Sequence, residues 1–273
     1  MSTTPTGTAA RDDAPACGRI SRLMYRHAGI SLAEHKEYLI QSRLQKRLGK
    51  LGLGLGAYAD LVEHDAAERG ICTDLLTTNH TAWMREPAHF VDFADRVLAG
   101  FAQRGAPRRL RVWCAAAASG EEPYSIALTI AKAMTVPAEW DVAILATDIS
   151  SRALAKTRLA VYSEERIACL APSDRQRYLQ RSATGDYRVG DNLRRMVHPA
   201  SLNLIGAWPM QGPFDVIFCR NVMIYFDRPT QEKLVNRMAQ LLAPGGTLYV
   251  GHSESLSGIK HPLSTHGPAI YRT

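Results

Sequence analysis

The chain has 273 residues, 46% of them hydrophobic and 22% charged, which is the balance of a globular protein with one good core and room for a smaller domain. No apolar stretch reaches the length of a membrane span and residues 1–15 lack a hydrophobic signal core, so we expect no membrane insertion. The net charge of +7 indicates an acidic partner, which could be nucleic acid, an anionic membrane surface or a glutamate-rich protein.

The cysteines and histidines carry no disulfide or metal pattern. The five cysteines are scattered, with no C-x-x-C pair, and an odd count without a secretory signal predicts a cytoplasmic protein with reduced thiols. The nine histidines show no metal-ligand spacing. We therefore predict no metal.

The N-terminal part of the chain is predicted to be helical. Residues 1–17 are mostly small and polar, and we expect a disordered tail there. Residues 18–78 form a predicted all-helical domain, in which Ser31 and Glu34 fit a capping box. The apolar periodicity predicts helices at 18–28, from 31 to about 50, at 57–64 and at 68–76.

A basic stripe lies on the second of these helices. Arg43, Lys46, Arg47 and Lys50 recur at i, i+3, i+4 and i+7 with no acid between them. This spacing is typical of a solvated helix face, and it also suits a docking face for an acidic partner. We predict docking, because the acceptor inferred below is acidic.

A polar segment, residues 77–87, precedes a predicted long helix at 88–101. Its position between helices suits the lining of a cleft, where small-molecule sites are common. A linker whose polar groups cap the next helix is the alternative.

Residues 110–128 predict a strand, a turn of small side chains and a helix. The apolar run 110–114 is too short for a helix, and Ala115–Ala118 and Gly120 then lead to Glu121 and Glu122, acids that a helix N-terminus favours. In an open α/β sheet, such a first turn lets a ligand approach the backbone. A capped helix after a core strand is the simpler interpretation.

The chemistry of this turn selects the class of ligand. A phosphate-binding turn would carry several glycines or a lysine, whereas this one presents two carboxylates. Carboxylates repel phosphate and suit an amine or ribose hydroxyls. The turn therefore argues against NAD or ATP and for S-adenosylmethionine.

A second predicted strand, 142–146, is followed by Thr147 and Asp148. An acid at this end of the second strand lies within reach of a nucleoside ribose. Asp148 could instead be only the N-cap of the helix at 151–159. Because the first turn also favours a nucleoside, we predict ribose binding.

The remaining chain predicts a small antiparallel insert and the rest of the sheet. The insert, 161–199, contains a short helix at 175–179 and a hairpin made by 185–190 and 194–197. The other predicted elements are strands at 214–219, 247–251 and 269–272 and a helix at 230–242. The alternation predicts a doubly wound, mainly parallel α/β sheet.

Five blocks in this order resemble the CheR family of chemotaxis-receptor glutamate methyltransferases. They are TTNHTAWMREPAHF (77–90), RVWCAAAASGEEPYSIA (111–127), ATDI (146–149), FDVIFCRNVMIYFD (214–227) and GTLYVGHSESL (246–256). The resemblance runs from about residue 18 to the end. It implies a helical N-terminal domain (18–78) and a Rossmann-like methyltransferase domain (79–273) that carries the insert.

The resemblance also implies roles for individual residues. Arg85 and Tyr225 would be catalytic, with Tyr225 beside the methyl group. The cofactor S-adenosylmethionine, and its product S-adenosylhomocysteine, would contact Asn79, Thr81, Arg85, Glu122, Asp148, Asn203, Leu204, Arg220 and Asn221. The sequence has Trp83-Met84 where many members have two phenylalanines, a packing change that should be tolerated.

The implied reaction is methylation of receptor glutamates for chemotaxis or related signalling, by a cytoplasmic enzyme expected to be a monomer. The segment 178–203 is short beside that of members that grip a receptor pentapeptide, which argues against such a tether. A nucleic-acid base methyltransferase is one rival, but Asn221 is not followed by the two prolines that would hold a flipped base, so we expect no nucleic acid. A non-catalytic receptor-binding module is the other.

Overall fold

The computed structural model describes residues 13–32, 37–103, 108–134 and 141–273. Their contacts divide into two units. One is helical and contains the described residues up to Thr78 together with Tyr225–Asp227. The other is built on a sheet and contains the described residues of Asn79–Ile224 and Arg228–Thr273.

The helical unit begins earlier than the sequence predicts. Its first helix starts at Ala14, with Pro15 in the first turn and Ala16 and Cys17 buried, so the end of the expected tail is helical. Residues 1–12 and the capping-box residue Glu34 lie outside the described residues. The helices are α1 (Ala14–Ala28), α2 (Glu37–Leu51), α3 (Leu55–His64) and α4 (Ala66–Leu76).

A buried ion pair holds three of these helices together. Arg47 of α2 pairs with Glu68 of α4, and the Tyr58 hydroxyl of α3 donates to Glu68 Oε1 at 2.9 Å. Hydrogen bonding by Arg47 holds the pKa of Glu68 below its usual value although burial opposes this. Glu68 therefore stays ionised in the interior and fixes the packing of the unit.

The sheet unit has the predicted α/β fold, with a seven-stranded mixed sheet in the order β6-β2-β1-β7-β8-β10-β9. The first five of these are parallel to one another, and β10 is antiparallel to both β8 and β9. The strands are β1 (Arg109–Cys114), β2 (Asp141–Asp148), β6 (Val197–Ser201), β7 (Phe214–Cys219), β8 (Leu242–Val250), β9 (Ser264–Gly267) and β10 (Ile270–Arg272). The central strands β1 and β7 are almost wholly buried, as their apolar runs predict.

Helices connect these strands. The helix predicted at 88–101 is α5 (Pro87–Asp92), a π-helical segment (Phe93–Leu98) and α6 (Ala99–Ala102). The others are α7 (Glu121–Ala133), α8 (Ser151–Leu159), α9 (Glu164–Ile167), α10 (Pro172–Tyr178), α11 (Asp191–Arg194) and α12 (Arg228–Leu241). In the part of the chain that the structure describes, no helix is both long and apolar enough to cross a membrane.

The small antiparallel sheet is present, but its predicted pairing is wrong. Its strands are β3 (Val161–Tyr162), β4 (Leu179–Arg181) and β5 (Tyr187–Val189), in the order β3-β5-β4. The predicted hairpin paired 185–190 with 194–197, whereas β5 pairs with β3 and β4. Val197–Ser201 instead pairs in parallel with β2, so the end of the predicted insert belongs to the large sheet.

We predict that Glu68→Gln lowers the free energy of unfolding by about 2 kcal/mol, because it removes the charge that pairs with Arg47. A carboxylate with a depressed pKa stabilises the fold above its unfolded pKa and loses that effect as the pH falls through its folded pKa. The difference between variant and wild type should therefore shrink in acid. Urea unfolding measures both effects, and Glu165→Gln on the exposed face of α9 is the control, expected within about 0.5 kcal/mol of wild type.

Candidate active site

The turn after β1 is fastened to the ends of both neighbouring strands. Ala115 N donates to Phe218 O of β7 at 2.8 Å, and Ala117 N donates to Thr147 O of β2 at 2.9 Å. At Gly120 the backbone has a φ of +101°, and a Cβ there would lie 2.5 Å from the Tyr162 hydroxyl. Only glycine fits at this position, because the Tyr162 hydroxyl and Thr157 occupy the space that a side chain would need.

Asp148 braces this turn from the end of β2. Its Oδ2 accepts from Ala118 N at 2.8 Å and its Oδ1 accepts from Ser150 N at 2.8 Å. Ser150, not Asp148, caps α8, since Ser150 Oγ accepts from Ala153 N at 3.1 Å. The alternative in which Asp148 was only an N-cap is wrong, since Asp148 braces the turn after β1.

The two glutamates at the start of α7 differ in their partners. Glu121 is fully buried, pairs with Arg166 of α9 and accepts from Ser119 Oγ at 2.7 Å. Glu122 instead pairs with Arg220, the residue that follows β7.

A buried guanidinium, Arg220, joins two carboxylates. Its Nη1 donates to Glu122 Oε2 at 2.6 Å, and its Nη2 donates to Glu86 Oε2 at 3.0 Å and to the Arg85 carbonyl. The Arg220 side chain has no exposed surface, and it lies over the Phe90 ring. We call this set of three charged side chains the Arg220 bridge.

The two acids of the Arg220 bridge have opposite pKa shifts. Burial raises the pKa of Glu122, although Arg220 opposes the rise. Glu86 is also desolvated, but Arg220 together with hydrogen bonds from Asn221 and His252 lowers its pKa overall. Glu86 is thus the more firmly ionised of the two.

Glu86 fixes the turn that carries Arg85, and sequence reasoning missed it. Glu86 Oε1 accepts from Asn221 Nδ2 and Oε2 accepts from His252 N, both at 3.2 Å. Met84 and Glu86 have φ values of +52° and +55°, unusual for residues with side chains. From the sequence, Glu86 is only an acid just before Pro87, which is typical of a helix start. Its partners lie more than a hundred residues away in the chain, so no local pattern reveals them.

Glu254 is a second missed residue. It is buried, and its carboxylate accepts from Asn221 N at 2.6 Å, Gly251 N at 2.7 Å and Ile224 N at 3.2 Å. Burial raises its pKa, although these backbone donors oppose the rise. Glu254 thereby shapes the turn after β7, in which Asn221 has a φ of +57°.

The other predicted cofactor residues lie in the same unit. Asn203 Oδ1 accepts from Ile205 N at 3.1 Å, just after β6, and the buried Leu204 offers its carbonyl to Trp208 Nε1 at 3.1 Å. Asn79 and Thr81 are half-buried ahead of α5. These four remain predicted rather than demonstrated ligands.

The two predicted catalytic residues have different surroundings. Arg85 is half-buried, and its Nη1 donates to His80 O at 3.3 Å. Tyr225 groups with the helical unit, where its carbonyl accepts from Ser31 N at 3.0 Å. Its predicted place beside the methyl group remains a prediction.

The basic stripe is partly engaged within its own unit. Arg47 is held by Glu68, and Arg43 donates to Leu76 O at 2.6 Å and Thr78 Oγ1 at 2.8 Å. Lys46 and Lys50 are exposed. Two of the four cations therefore have partners within the helical unit, which sequence spacing does not reveal, and the docking role of the stripe stays a prediction.

Comparison with known proteins adds the family to this geometry. The model "CheR methyltransferase, SAM binding domain" matches residues 79–270, and "CheR methyltransferase, all-alpha domain" matches residues 16–77. A probable chemotaxis protein methyltransferase of Rhizobium etli is 43% identical over 92% of this chain and 96% of its own length. Chemotaxis protein methyltransferases of Escherichia coli (42% identical; 93% of this chain, 88% of that one) and Pseudomonas aeruginosa (41%; 93% and 91%) are similar as well.

We predict that Gly251→Ala destabilises the protein by about 2 kcal/mol. An added Cβ would lie 2.5 Å from Asn221 Nδ2 and 2.7 Å from Glu254 Oε2, so the turn after β7 would have to move. Gly100→Ala is the control, since its Cβ would meet nothing within 4 Å in a helix and should stabilise by about 0.5 kcal/mol. Equal unfolding midpoints for the two variants would contradict this account.

Proposed function

Because the chain belongs to the CheR methyltransferase family and catalyses S-adenosylmethionine-dependent methylation of chemotaxis receptors, we propose that the Arg220 bridge organises its active site. The supporting observation is that one buried guanidinium contacts Glu122, Glu86 and the carbonyl of Arg85. The start of α7, the turn before α5 and the end of β7 are thereby held in one arrangement.

The residues at this sheet edge fit S-adenosylmethionine. Glu122 lies in the first turn of the helix after β1, and Asp148 ends β2. The side chains at 115–118 are small, and the first turn contains no lysine. S-adenosylmethionine has a sulfonium, an α-amino group and a ribose but no phosphate, and it supplies an electrophilic methyl group. We propose that Glu122 holds the amino-acid portion and Asp148 the ribose. The further proposed contacts are Asn79, Thr81, Arg85, Asn203, Leu204, Arg220 and Asn221.

The proposed chemistry needs little proton transfer. A glutamate with a pKa of about 4.3 is ionised at neutral pH, so the substrate carboxylate is already a nucleophile. An oxygen–carbon bond to the methyl group forms as the carbon–sulfur bond breaks, and S-adenosylhomocysteine leaves. The protein then has to align the reacting atoms and exclude water. We assign the orientation of the incoming carboxylate to the Arg85 guanidinium and that of the reacting groups to the Tyr225 hydroxyl.

The rival interpretation of the sequence, a non-catalytic receptor-binding module, disagrees with the family, whose similar members are chemotaxis protein methyltransferases. Product formation tests this directly.

The decisive experiment is incubation of the chain with methyl-labelled S-adenosylmethionine and a receptor cytoplasmic fragment. We expect label that base releases as methanol, because a glutamyl methyl ester is base-labile. Tyr225→Phe should lower the turnover number about tenfold or more while leaving affinity for S-adenosylhomocysteine near wild type. Tyr187→Phe in β5 is the matched control.

Three outcomes would count against these assignments. Base-stable label would exclude the ester, and no label with intact cofactor binding would favour the non-catalytic module. Equal turnover by Tyr225→Phe and wild type would show that the Tyr225 hydroxyl does not contribute to turnover and that its ring only lines the site.

We further propose that Lys46 and Lys50 dock the acidic helical region of the receptor. Both are exposed on α2, while Arg43 and Arg47 contribute by holding this helix in its unit. We propose no pentapeptide tether and a monomeric enzyme, so that these exposed cations supply the attraction.

Reversing both lysines, Lys46→Glu with Lys50→Glu, should weaken receptor binding by roughly fivefold to tenfold at low salt, and less at high salt because exposed charges are screened. Lys156→Glu with Lys233→Glu makes the same change in net charge at exposed positions of the sheet unit and is the control. Titration calorimetry at several salt concentrations measures both. An affinity that is flat with salt, or equally weakened in the control, would refute docking by this face.

A further inference from the structure

Three potential metal ligands converge beside the Arg220 bridge, although sequence spacing predicts no metal site. They are Glu86 and His89 around the start of α5 and His252 just after β8. One ligand atom from each lies within 4.8 Å of the others. The rings of His89 and His252 meet edge to face, with their centroids 4.7 Å apart.

His89 is unsatisfied in this position. Its side chain is fully buried, and neither ring nitrogen makes a hydrogen bond of ordinary geometry with a described residue. Buried polar atoms nearly always have a partner. Beyond a weak contact with the Pro268 carbonyl, the two ring nitrogens have no hydrogen bond of ordinary geometry, which requires an explanation.

The spacing between His89 and Glu86 suits a shared ion. His89 Nδ1 lies 3.6 Å from Glu86 Oε2, too far for a good hydrogen bond. Two ligand atoms on one tetrahedral zinc ion lie roughly 3.3 Å apart. His89 and the Glu86 carboxylate are therefore close enough to bind one ion after a small relaxation.

We propose that Glu86, His89 and His252 form a binding site for a divalent transition-metal ion of the Zn²⁺ type. Two imidazoles and a carboxylate are a ligand set that Zn²⁺ takes with water in the fourth position. His252 is exposed, which gives the ion an entry path and the water its place.

The neighbouring charges limit the affinity without excluding the ion. Arg220 Nη2 and His252 N both donate to Glu86 Oε2 and use its two lone pairs. Oε1 accepts from Asn221 Nδ2 and has a second lone pair for the ion. The Arg220 bridge contains two carboxylates and one guanidinium, so its formal charge is one negative unit. We therefore expect micromolar rather than nanomolar binding. The ion would tie the start of α5 to the segment after β8, a role separate from methyl transfer.

The test is calorimetric titration of the chelator-treated full chain with Zn²⁺ alone. The visible absorption spectrum of the chain with Co²⁺ in place of Zn²⁺ is a second readout. We expect one ion per chain and the intense visible bands of tetrahedral Co²⁺. His252→Ala should weaken Zn²⁺ binding about tenfold or more. That variant keeps the His252 backbone N–H that donates to Glu86, so the turn should remain folded.

His266→Ala removes another exposed histidine, in β9, and should bind as wild type does. Zn²⁺ should also raise the melting temperature of wild type and of His266→Ala but not of His252→Ala. Failure of wild type to bind, or equal binding by the His252 and His266 variants, would overturn the proposal. Because no readout involves turnover, these results are independent of the methyltransferase assignment.

Discussion

One desolvated guanidinium joins three segments that lie far apart in the sequence. Arg220 follows β7, Glu122 lies in the first turn of α7 and Glu86 precedes α5, and their side chains meet in the interior. Buried charges are costly unless each finds its partner, so loss of Arg220 would leave two carboxylates without their cation. The positions of the segments are therefore interdependent. The same guanidinium also donates to the backbone carbonyl of Arg85. The ion cluster therefore fixes the position of a residue that we assign to substrate orientation.

Much of the sheet unit could be predicted from local signals. A short apolar run predicts a buried strand, and small residues followed by acids predict a turn and a helix start, as found from β1 into α7. Asp148 could be identified for the same reason, because its role depends on its place at the end of a strand. The family resemblance then supplied candidate residues that periodicity alone does not single out.

The remaining features depend on partners that are distant in the chain. Glu86 and Glu254 work through atoms of the Asn221 turn, which no spacing rule connects to them. The sequence places Arg47 in an unpaired basic stripe, whereas in the fold it pairs with Glu68 on another helix. The sequence of a short β segment does not determine which strand it pairs with. Residues 194–197 are therefore predicted to form a hairpin, whereas Val197–Ser201 pairs with β2.

The small antiparallel sheet reaches back to the first turn of the large one. The Tyr162 hydroxyl donates to Ser119 O at 2.9 Å in the space that Gly120 leaves, and Arg166 pairs with Glu121 at the start of α7. A chimera that grafts this sheet from a relative would have to carry both side chains with it. Without them, the graft would leave Glu121 as an unneutralised charge in the interior and the space beside Gly120 unfilled.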